Sequence, residues 1–192
     1  MLEKRVPLTD VQRDIWFACQ MSDGASLAYN ESLTLRLQGA LNVGALRRAL
    51  RLLVARHEAL RTRIDAAGQV QRILASGDIE LAIDDAPGGS RATDGETDVA
   101  NWMSAKARQQ FNLIDGPLFR AALLRVDAQM NFLALLVHHV ICDGWSLGVM
   151  ARELGALYAA EQLGRAAKLP AAPTLSAYVE QQPAEKSSAA FG

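Results

Sequence analysis

Two adjacent histidines, followed closely by an aspartate and a glycine, form the part of this chain best suited to chemistry. They lie in HHVICDGWS, residues 138–146, and the whole chain has only three histidines. The residues directly before them, NFLALLV, are almost all apolar, as in a buried strand. The segment therefore predicts imidazole chemistry at the point where a buried strand ends.

Strand geometry separates the roles of the two imidazoles. Successive side chains of a strand point to opposite faces, so His138 and His139 are poorly placed to bind one metal ion. Two ligands on one metal usually come from a helical i, i+4 pair, and we expect no metal site here. We expect one imidazole to face inward and be held by hydrogen bonds, and the other to project where the strand becomes a loop. His139, nearer the end, is the candidate for the projecting role.

Asp143 and Gly144 follow the histidines and leave several readings open. The carboxylate of Asp143 could orient the His139 ring and support its imidazolium, or it could fix the loop by pairing with an arginine. Gly144 fits a tight turn or a close backbone approach, with its N–H available to a substrate oxygen. No G-x-S-x-G segment supplies a nucleophile. The pattern therefore predicts a general base acting on a nucleophile that the substrate brings.

The elements that position this segment are predicted from the spacing of apolar residues. The first helix is expected at residues 10–21 after the N-cap Thr9, where apolar residues recur at Val11, Ile15, Ala18 and Cys19. A second helix is expected after the N-cap Asn42, and its inward residues are Leu46, Ala49, Leu50, Leu53 and Val54. Two more are expected at residues 99–110 and 146–164, and the inward residues of the last are Leu147, Met150, Ala151, Leu154 and Leu157. Strands are expected at residues 32–39, 60–65, 69–74, 79–84, 118–127 and 131–139.

The connections indicate how these elements are arranged. A turn is expected at residues 67–68, a loop at 87–98, and a hairpin turn at 128–129 that makes the last two strands antiparallel. Strand 131–139 is apolar on both faces, as in a central strand covered on both sides. After Gly164 the chain becomes a linker with two prolines, then a short helical piece and a polar tail. This order predicts an α+β layered sandwich, with a mixed sheet covered by helices.

Composition excludes several classes of function. The net charge is -1 with no basic run, which argues against nucleic acid as the main partner. The longest apolar run is too short to span a bilayer, and the N-terminus has no secretory signal pattern. Cys19 and Cys142 lie far apart without metal or redox spacing, so we expect both to be buried and reduced in a cytoplasmic protein.

Three segments together resemble condensation domains of nonribosomal peptide synthetases, which share the chloramphenicol acetyltransferase fold. HHVICDGWS is similar to the HHxxxDG signature of that family. RHEALRTRI, residues 56–64, is similar to RHExLRTxF, with Ile64 replacing the aromatic residue. LTDVQRDIW, residues 8–16, is similar to the first family motif, although Thr9, Val11 and Asp14 depart from it. All three occur in the family's order within residues 1–146.

The resemblance implies an acyl transfer between carrier proteins. The amine of an aminoacyl thioester on an acceptor carrier protein attacks the acyl or peptidyl thioester on a donor carrier protein, and both substrates arrive on phosphopantetheine arms. No cofactor is bound directly. The second histidine, His139, would accept the amine proton or position the amine. His138, Asp143 and Gly144 would be structural, with Arg61 as the candidate partner of Asp143.

The resemblance also narrows the subtype. Heterocyclisation domains have aspartates in place of the histidines, and epimerisation domains usually lack the glycine after the aspartate. The DGWS ending resembles domains that accept L-configured or acyl donors, and MSDGASLAYNES resembles those of hybrid polyketide–peptide assembly lines. Adjacent synthetase or polyketide synthase modules are therefore expected partners.

The resemblance covers one lobe of a two-lobed domain. Residues 1–165 are assigned to the N-terminal lobe and 166–192 to the linker that begins the connection to the C-terminal lobe. The fourth family motif is represented at most by Tyr178. Two other readings stay open: an ester-forming acyltransferase of the same superfamily, and an inactive lobe that docks a carrier protein.

Overall fold

The structure is a computed structural model that describes residues 3–22, 24–86 and 95–181. Seven strands are present in this part of the chain: β1 Lys4–Pro7, β2 Asn30–Gln38, β3 Thr62–Ile64, β4 Val70–Ile73, β5 Leu81–Asp85, β6 Phe119–Arg125 and β7 Met130–His138. The α-helices are α1 Asp10–Cys19, α2 Val43–Arg56, α3 Gly95–Ala107, α4 Gly144–Gln162 and α5 Leu175–Gln181. Two 3₁₀ helices lie at Ala25–Tyr29 and Glu58–Arg61.

The larger sheet carries the double histidine at the end of one of its inner strands. Its order is β2-β7-β6-β5, with β5 parallel to β6 and the other pairs antiparallel. β7 is therefore an inner strand, and Asn30 at the start of β2 lies opposite His138 at its end. The expected mixed sheet and the hairpin between the last two strands are both confirmed.

Helices cover both faces of this sheet. Leu35 and Leu133 on one face line the same cavity as Leu46 of α2 and Leu154 of α4. On the other face, Asp84 accepts a hydrogen bond from the indole of Trp102 in α3 at 2.8 Å. Covering on both faces explains why nearly every residue of β7 is buried. The expected sandwich of a mixed sheet between helices is confirmed.

The smaller sheet has the order β1-β4-β3, and its strand β3 is the end of RHEALRTRI, the second of the three motifs. The predicted turn between β3 and β4 is confirmed: Gly68 has a positive φ of 64°, which favours glycine. A β-carbon at Gly68 would also collide with the indole of Trp16. Asp65 stabilises the turn by accepting from the N–H groups of Gln69 and Val70 at 2.8 and 2.9 Å.

Several element boundaries differ from those predicted. β1 was not expected, and Leu60 and Arg61 belong to a 3₁₀ helix instead of a strand. α3 begins at Gly95, inside the predicted loop 87–98, whose residues 87–94 lie outside the described part. α4 begins at Gly144 instead of residue 146, because Asp143 is its N-cap.

The buried face of α1 also differs from the apolar pattern. Ile15 and Cys19 are buried as the spacing suggests, but Val11 is 66% exposed and Gln12 is buried in its place. Thr9 caps the helix as expected and forms a capping box with Gln12. The polar contacts of Gln12, described below, explain this exchange. The predicted inner residues of α2 are all buried.

The segment after α4 packs back on the lobe as far as the structure describes it. Val179 of α5 is buried in a small apolar cluster with Val6 of β1 and Ile73 of β4. The predicted short helical piece is thus confirmed, while the boundary between residues 165 and 166 stays a prediction. Within the described ranges, none of the helices combines the length and apolar character needed to cross a membrane.

Candidate active site at the end of strand β7

His138 is a core residue. It is fully buried as the last residue of β7, and its backbone N–H donates to the carbonyl of Leu118 at 3.0 Å. Its ring lies with Nε2 3.1 Å from the hydroxyl of Ser26 and 3.8 Å from the thiol of Cys19. The expected inward-facing, hydrogen-bonded imidazole is therefore observed at His138.

The hydrogen bonds of His138 define its protonation. The backbone N–H of Val140 donates to Nδ1 at 3.2 Å, so this nitrogen acts as an acceptor and carries no proton. The neutral ring then holds its proton on Nε2, where it can donate to Ser26. Burial lowers the pKa of His138 to about 4, and the adjacent His139 adds to the effect. His138 is therefore neutral at physiological pH and unsuited to exchange protons.

His139 begins the turn that follows β7 and is partly exposed. Its backbone N–H donates to the carbonyl of Tyr29 at 2.8 Å, and about a third (34%) of its side chain is exposed. The ring of Tyr29 stacks on the imidazole with 6.4 Å between ring centroids and 20° between planes. Oε1 of Glu31 lies 3.4 Å from Nδ1. The chain thus presents one of its two adjacent imidazoles, as strand geometry predicts, and the catalytic role of His139 remains a prediction.

Asp143 does not pair with Arg61, contrary to the expectation. Its carboxylate accepts hydrogen bonds from the backbone N–H and the hydroxyl of Ser146, at 2.8 and 2.6 Å, and so caps α4. These bonds hold the pKa of Asp143 below its usual value. Arg61 instead donates to the carbonyl of Leu74. The physical reason for the difference is that a helix begins directly after Asp143 and its free N–H groups bind the carboxylate.

Gly144 does not fill the tight turn expected for it. It is the first residue of α4, and its φ angle is not positive. A β-carbon added there would meet no described atom within 4 Å. Nothing in the described part of the chain therefore requires glycine at this position. A role for its N–H toward a substrate oxygen stays a prediction.

Gln12 of the first motif is a structural link to the histidine turn. Its side-chain amide donates to the carbonyl of Val140 at 3.0 Å and to Oε1 of Gln71 at 3.1 Å. Its own oxygen accepts from the backbone N–H of Thr9 and from the amide of Gln71, both at 3.0 Å. Gln12 and Gln71 are both buried. This network fastens α1 and β4 to the turn that carries His139.

Residues of the second motif, RHEALRTRI, form hydrogen bonds to α4. Arg56 and His57 both reach Glu153 of α4, with Nε to Oε2 at 2.8 Å and Nε2 to Oε2 at 2.6 Å. Burial alone raises the pKa of Glu153, but the hydrogen bonds from Arg56 and His57 lower it on balance. Glu58 accepts from the backbone N–H of Ser176 at 2.9 Å and so holds the start of α5. The motif therefore orients the helix whose first turn follows Asp143.

The other reactive side chains near the histidines are not activated. Burial raises the pKa of Cys142 to about 12, with Asp143 adding to the effect, so its thiol stays protonated. Cys19 is also buried and free, and burial raises its pKa. Within residues 3–22, 24–86 and 95–181, no cluster of three or more histidine, cysteine or acidic side chains is placed to hold a metal ion.

A cavity of about 470 Å³ lies beside the third motif. Cys142, Trp145 and Met150 line it together with His57 and residues 170–173, and His139 is not among its lining residues. Trp145 is 80% exposed at the start of α4. The start of α4 is thus exposed to solvent at Trp145.

Sequence reasoning missed the part played by the start of β2. It began this strand at Ser32, whereas the strand begins at Asn30 and brings Glu31 close to His139. A usable pattern was present: Glu31 stands two residues before the alternating series Leu33, Leu35 and Leu37. An acidic residue in line with three partly buried leucines marks the point where that face of the strand stops being apolar.

The condensation domain family matches residues 2–191, which is nearly the whole chain. The chain is 39% identical over 173 residues to chondramide synthase cmdD of Chondromyces crocatus, and 37% identical over 159 residues to surfactin synthase subunit 2 of Bacillus subtilis (strain 168). These matches cover 88% and 82% of this chain but only 4% of each relative.

Solved structures give the same answer. The starter condensation domain of the rhizomide synthetase RzmA superposes with a TM-score of 0.82 at 26% identity, covering 92% of this chain and 42% of that one. The X-domain complex with OxyB from teicoplanin biosynthesis gives 0.80 at 31% identity, covering 92% and 37%. The chain belongs to the condensation domain family. It spans less than half the length of these solved chains.

Proposed function

We propose that this chain is the histidine-bearing lobe of a condensation site that forms an amide bond between two carrier-bound substrates. The observation that carries the proposal is the division between the two imidazoles. His138 is fully buried and held neutral, whereas His139 is presented at the strand end. Membership of the condensation domain family gives this geometry its reaction class.

The proposed reaction is an aminolysis of a thioester. The acceptor amine attacks the donor carbonyl carbon, a C–N bond forms and the C–S bond breaks. His139 accepts the proton that the amine loses, and the thiolate of the donor arm leaves. A neutral imidazole is suited to this because one of its ring nitrogens is an acceptor while the other keeps its proton. The hydrogen bond from the backbone N–H of His139 to the carbonyl of Tyr29 holds the backbone of His139 at the end of β7.

The substrates are donor and acceptor thioesters on the phosphopantetheine arms of carrier proteins, and no cofactor is bound directly. The partners are these carrier proteins, the second lobe of the same domain, and neighbouring synthetase or polyketide synthase modules. The exposed Trp145 and the open space at Gly144 support a second lobe at this side of His139. Two free, buried cysteines, Cys19 and Cys142, support a cytoplasmic location.

The experiment supplies the complete domain with carrier-bound donor and either an amine or a hydroxyl acceptor. Mass spectrometry of the acceptor carrier protein detects the product. An amide with the amine acceptor is the expected result. Product with the hydroxyl acceptor alone would replace the proposal by ester formation. Binding of carrier protein without any product would reduce this lobe to a docking module.

A further inference from the structure

One ring nitrogen of His139 is buried without a hydrogen bond. Nδ1 makes none with any residue in the described ranges, although about a third of the side chain is exposed. Buried polar atoms are nearly always paired, and an exception calls for a physical explanation. Oε1 of Glu31 lies 3.4 Å from this nitrogen, close enough that a small rotation would align the two groups.

Strand pairing explains why Glu31 is at this place. β2 and β7 are antiparallel, with Asn30 opposite His138. Tyr29, the last residue of the 3₁₀ helix directly before β2, accepts the backbone N–H of His139 at its carbonyl. Glu31 lies directly opposite Val137, and the side chains of such a pair share one face of the sheet, so Glu31 is on the face of Val137, two residues before His139.

We infer that Glu31 is a positioning residue that accepts a hydrogen bond from Nδ1–H of His139. A neutral imidazole has one protonated nitrogen, and the bond made by that nitrogen decides which one it is. With the proton held on Nδ1, Nε2 keeps its lone pair for the acceptor amine. Such bonds are often long or misaligned without substrate and tighten in the reacting complex. The inference depends on the proposed role of His139 as the base.

The other groups around His139 do not compete for Nδ1. Asp143 interacts electrostatically with His139, but its carboxylate is engaged by the backbone and hydroxyl of Ser146. His138 is neutral and uses both of its ring nitrogens, toward Val140 and Ser26. The ring of Tyr29 lies nearly parallel to the imidazole, with 6.4 Å between the ring centroids.

The direct test reads the tautomer of His139 by NMR in the 192-residue chain. Long-range ¹⁵N–¹H correlations, recorded where the ring is neutral, distinguish a proton on Nδ1 from one on Nε2. The expected result is an Nδ1–H ring at His139 beside an Nε2–H ring at His138. An Nε2–H ring at His139 in the unmodified chain would overturn the inference.

Two substitutions make the test specific. Glu31→Leu continues the leucine series of that face and should abolish the preference for Nδ1–H. Glu31→Gln keeps an acceptor oxygen and should restore it. Glu180→Ala, which removes an exposed carboxylate from α5, is the matched control and should change nothing. An unchanged tautomer in Glu31→Leu, or a Gln variant that behaves like Leu, would contradict the hydrogen bond.

Turnover separates this inference from the proposed function. In the complete domain, Glu31→Leu should lower kcat at least about tenfold and leave KM for the thioesters unchanged, since a misplaced imidazole proton slows the chemical step. If the tautomer test fails while His139→Ala still abolishes product, only the role of Glu31 is wrong. If His139→Ala keeps full activity, the proposed function is wrong whatever the tautomer.

Discussion

Two neighbouring imidazoles in this chain have opposite environments because the backbone alternates. His138 points into the core and bonds to Ser26 and Val140, while His139 projects from the turn beside Tyr29 and Glu31. The first arrangement gives a neutral structural side chain. The second leaves a partly exposed imidazole with a carboxylate at one nitrogen. At the scale of single residues, the site is a division of labour set by strand geometry.

The buried neutral ring of His138 predicts how stability depends on pH. In the unfolded chain its pKa is near 6.5, whereas burial lowers it to about 4 in the fold. The stabilising contribution is therefore complete above pH 6.5 and is lost as the pH falls toward 4. The free energy of unfolding from urea titrations should drop by about 2 kcal/mol between pH 7 and pH 5 from this group.

An NMR titration of the His138 ring protons isolates this effect from other groups. The expected midpoint is about 4. Acidic groups such as Glu153, whose pKa is lowered in the fold, also make the protein less stable at low pH. The titration of the His138 ring is therefore the decisive measurement. A midpoint near 6.5 would show that His138 is accessible to water and would contradict its burial.

At the scale of elements, α4 connects the site to the rest of the lobe. Asp143 caps its first turn, and Arg56 and His57 bind Glu153 near its middle. On the other side, Gln12 of α1 reaches the carbonyl of Val140. Most of the polar side chains of the three motifs described here thus form hydrogen bonds that hold α1, α4 and the turn after β7 together.

The cap predicts a modest and specific loss of stability. Asp143→Ala should lower the free energy of unfolding by about 1 kcal/mol, because two bonds to Ser146 are lost, and Asp143→Asn should lower it less. Urea denaturation at pH 7 measures both. Arg61→Ala should lower the free energy of unfolding by the same amount in the unmodified chain and in Asp143→Ala, within about 0.5 kcal/mol. A coupling energy between Asp143 and Arg61 well above that value would show that the two side chains do pair.

The buried amide of Gln12 predicts a larger loss. Gln12→Ala removes the donor to the carbonyl of Val140 and to the side-chain oxygen of Gln71, so the free energy of unfolding should fall by about 2–3 kcal/mol. Gln20→Ala, in the exposed cap of the same helix, is the control and should stay within about 0.5 kcal/mol of the unmodified chain. Equal effects in the two variants would show that the Gln12 network contributes little.

Much of this arrangement could be predicted from sequence, and the failures have physical causes. Apolar periodicity located α2, α4 and the β6–β7 hairpin, and alternation predicted which histidine is buried. The polar interior face of α1 was missed because periodicity assigns Val11, not Gln12, to the core. The Asp143 cap and the approach of Glu31 to His139 were missed because both depend on where neighbouring elements begin, the least certain feature of a pattern.

At the scale of the molecule, the described part of the chain is a mixed sheet between helices, and His139 lies at the end of one of its inner strands. The match to the rhizomide synthetase domain covers 92% of this chain but 42% of that structure, so most of the solved domain lies beyond this lobe. In the proposed function, a second lobe covers the surface at the exposed Trp145 and the open space at Gly144. Covering would exclude water from the thioester, which hydrolysis otherwise consumes.

The central claim is that His139 is the working residue of this surface, and one rate constant tests it most directly. Single-turnover amide formation should be measured in the complete domain for the unmodified protein, His139→Ala and the Glu180→Ala control. His139→Ala should be slower by about 10²–10⁴-fold, the usual contribution of a general base, while its free energy of unfolding changes by less than about 1 kcal/mol. Folded His139→Ala that forms amide at the unmodified rate would contradict the account.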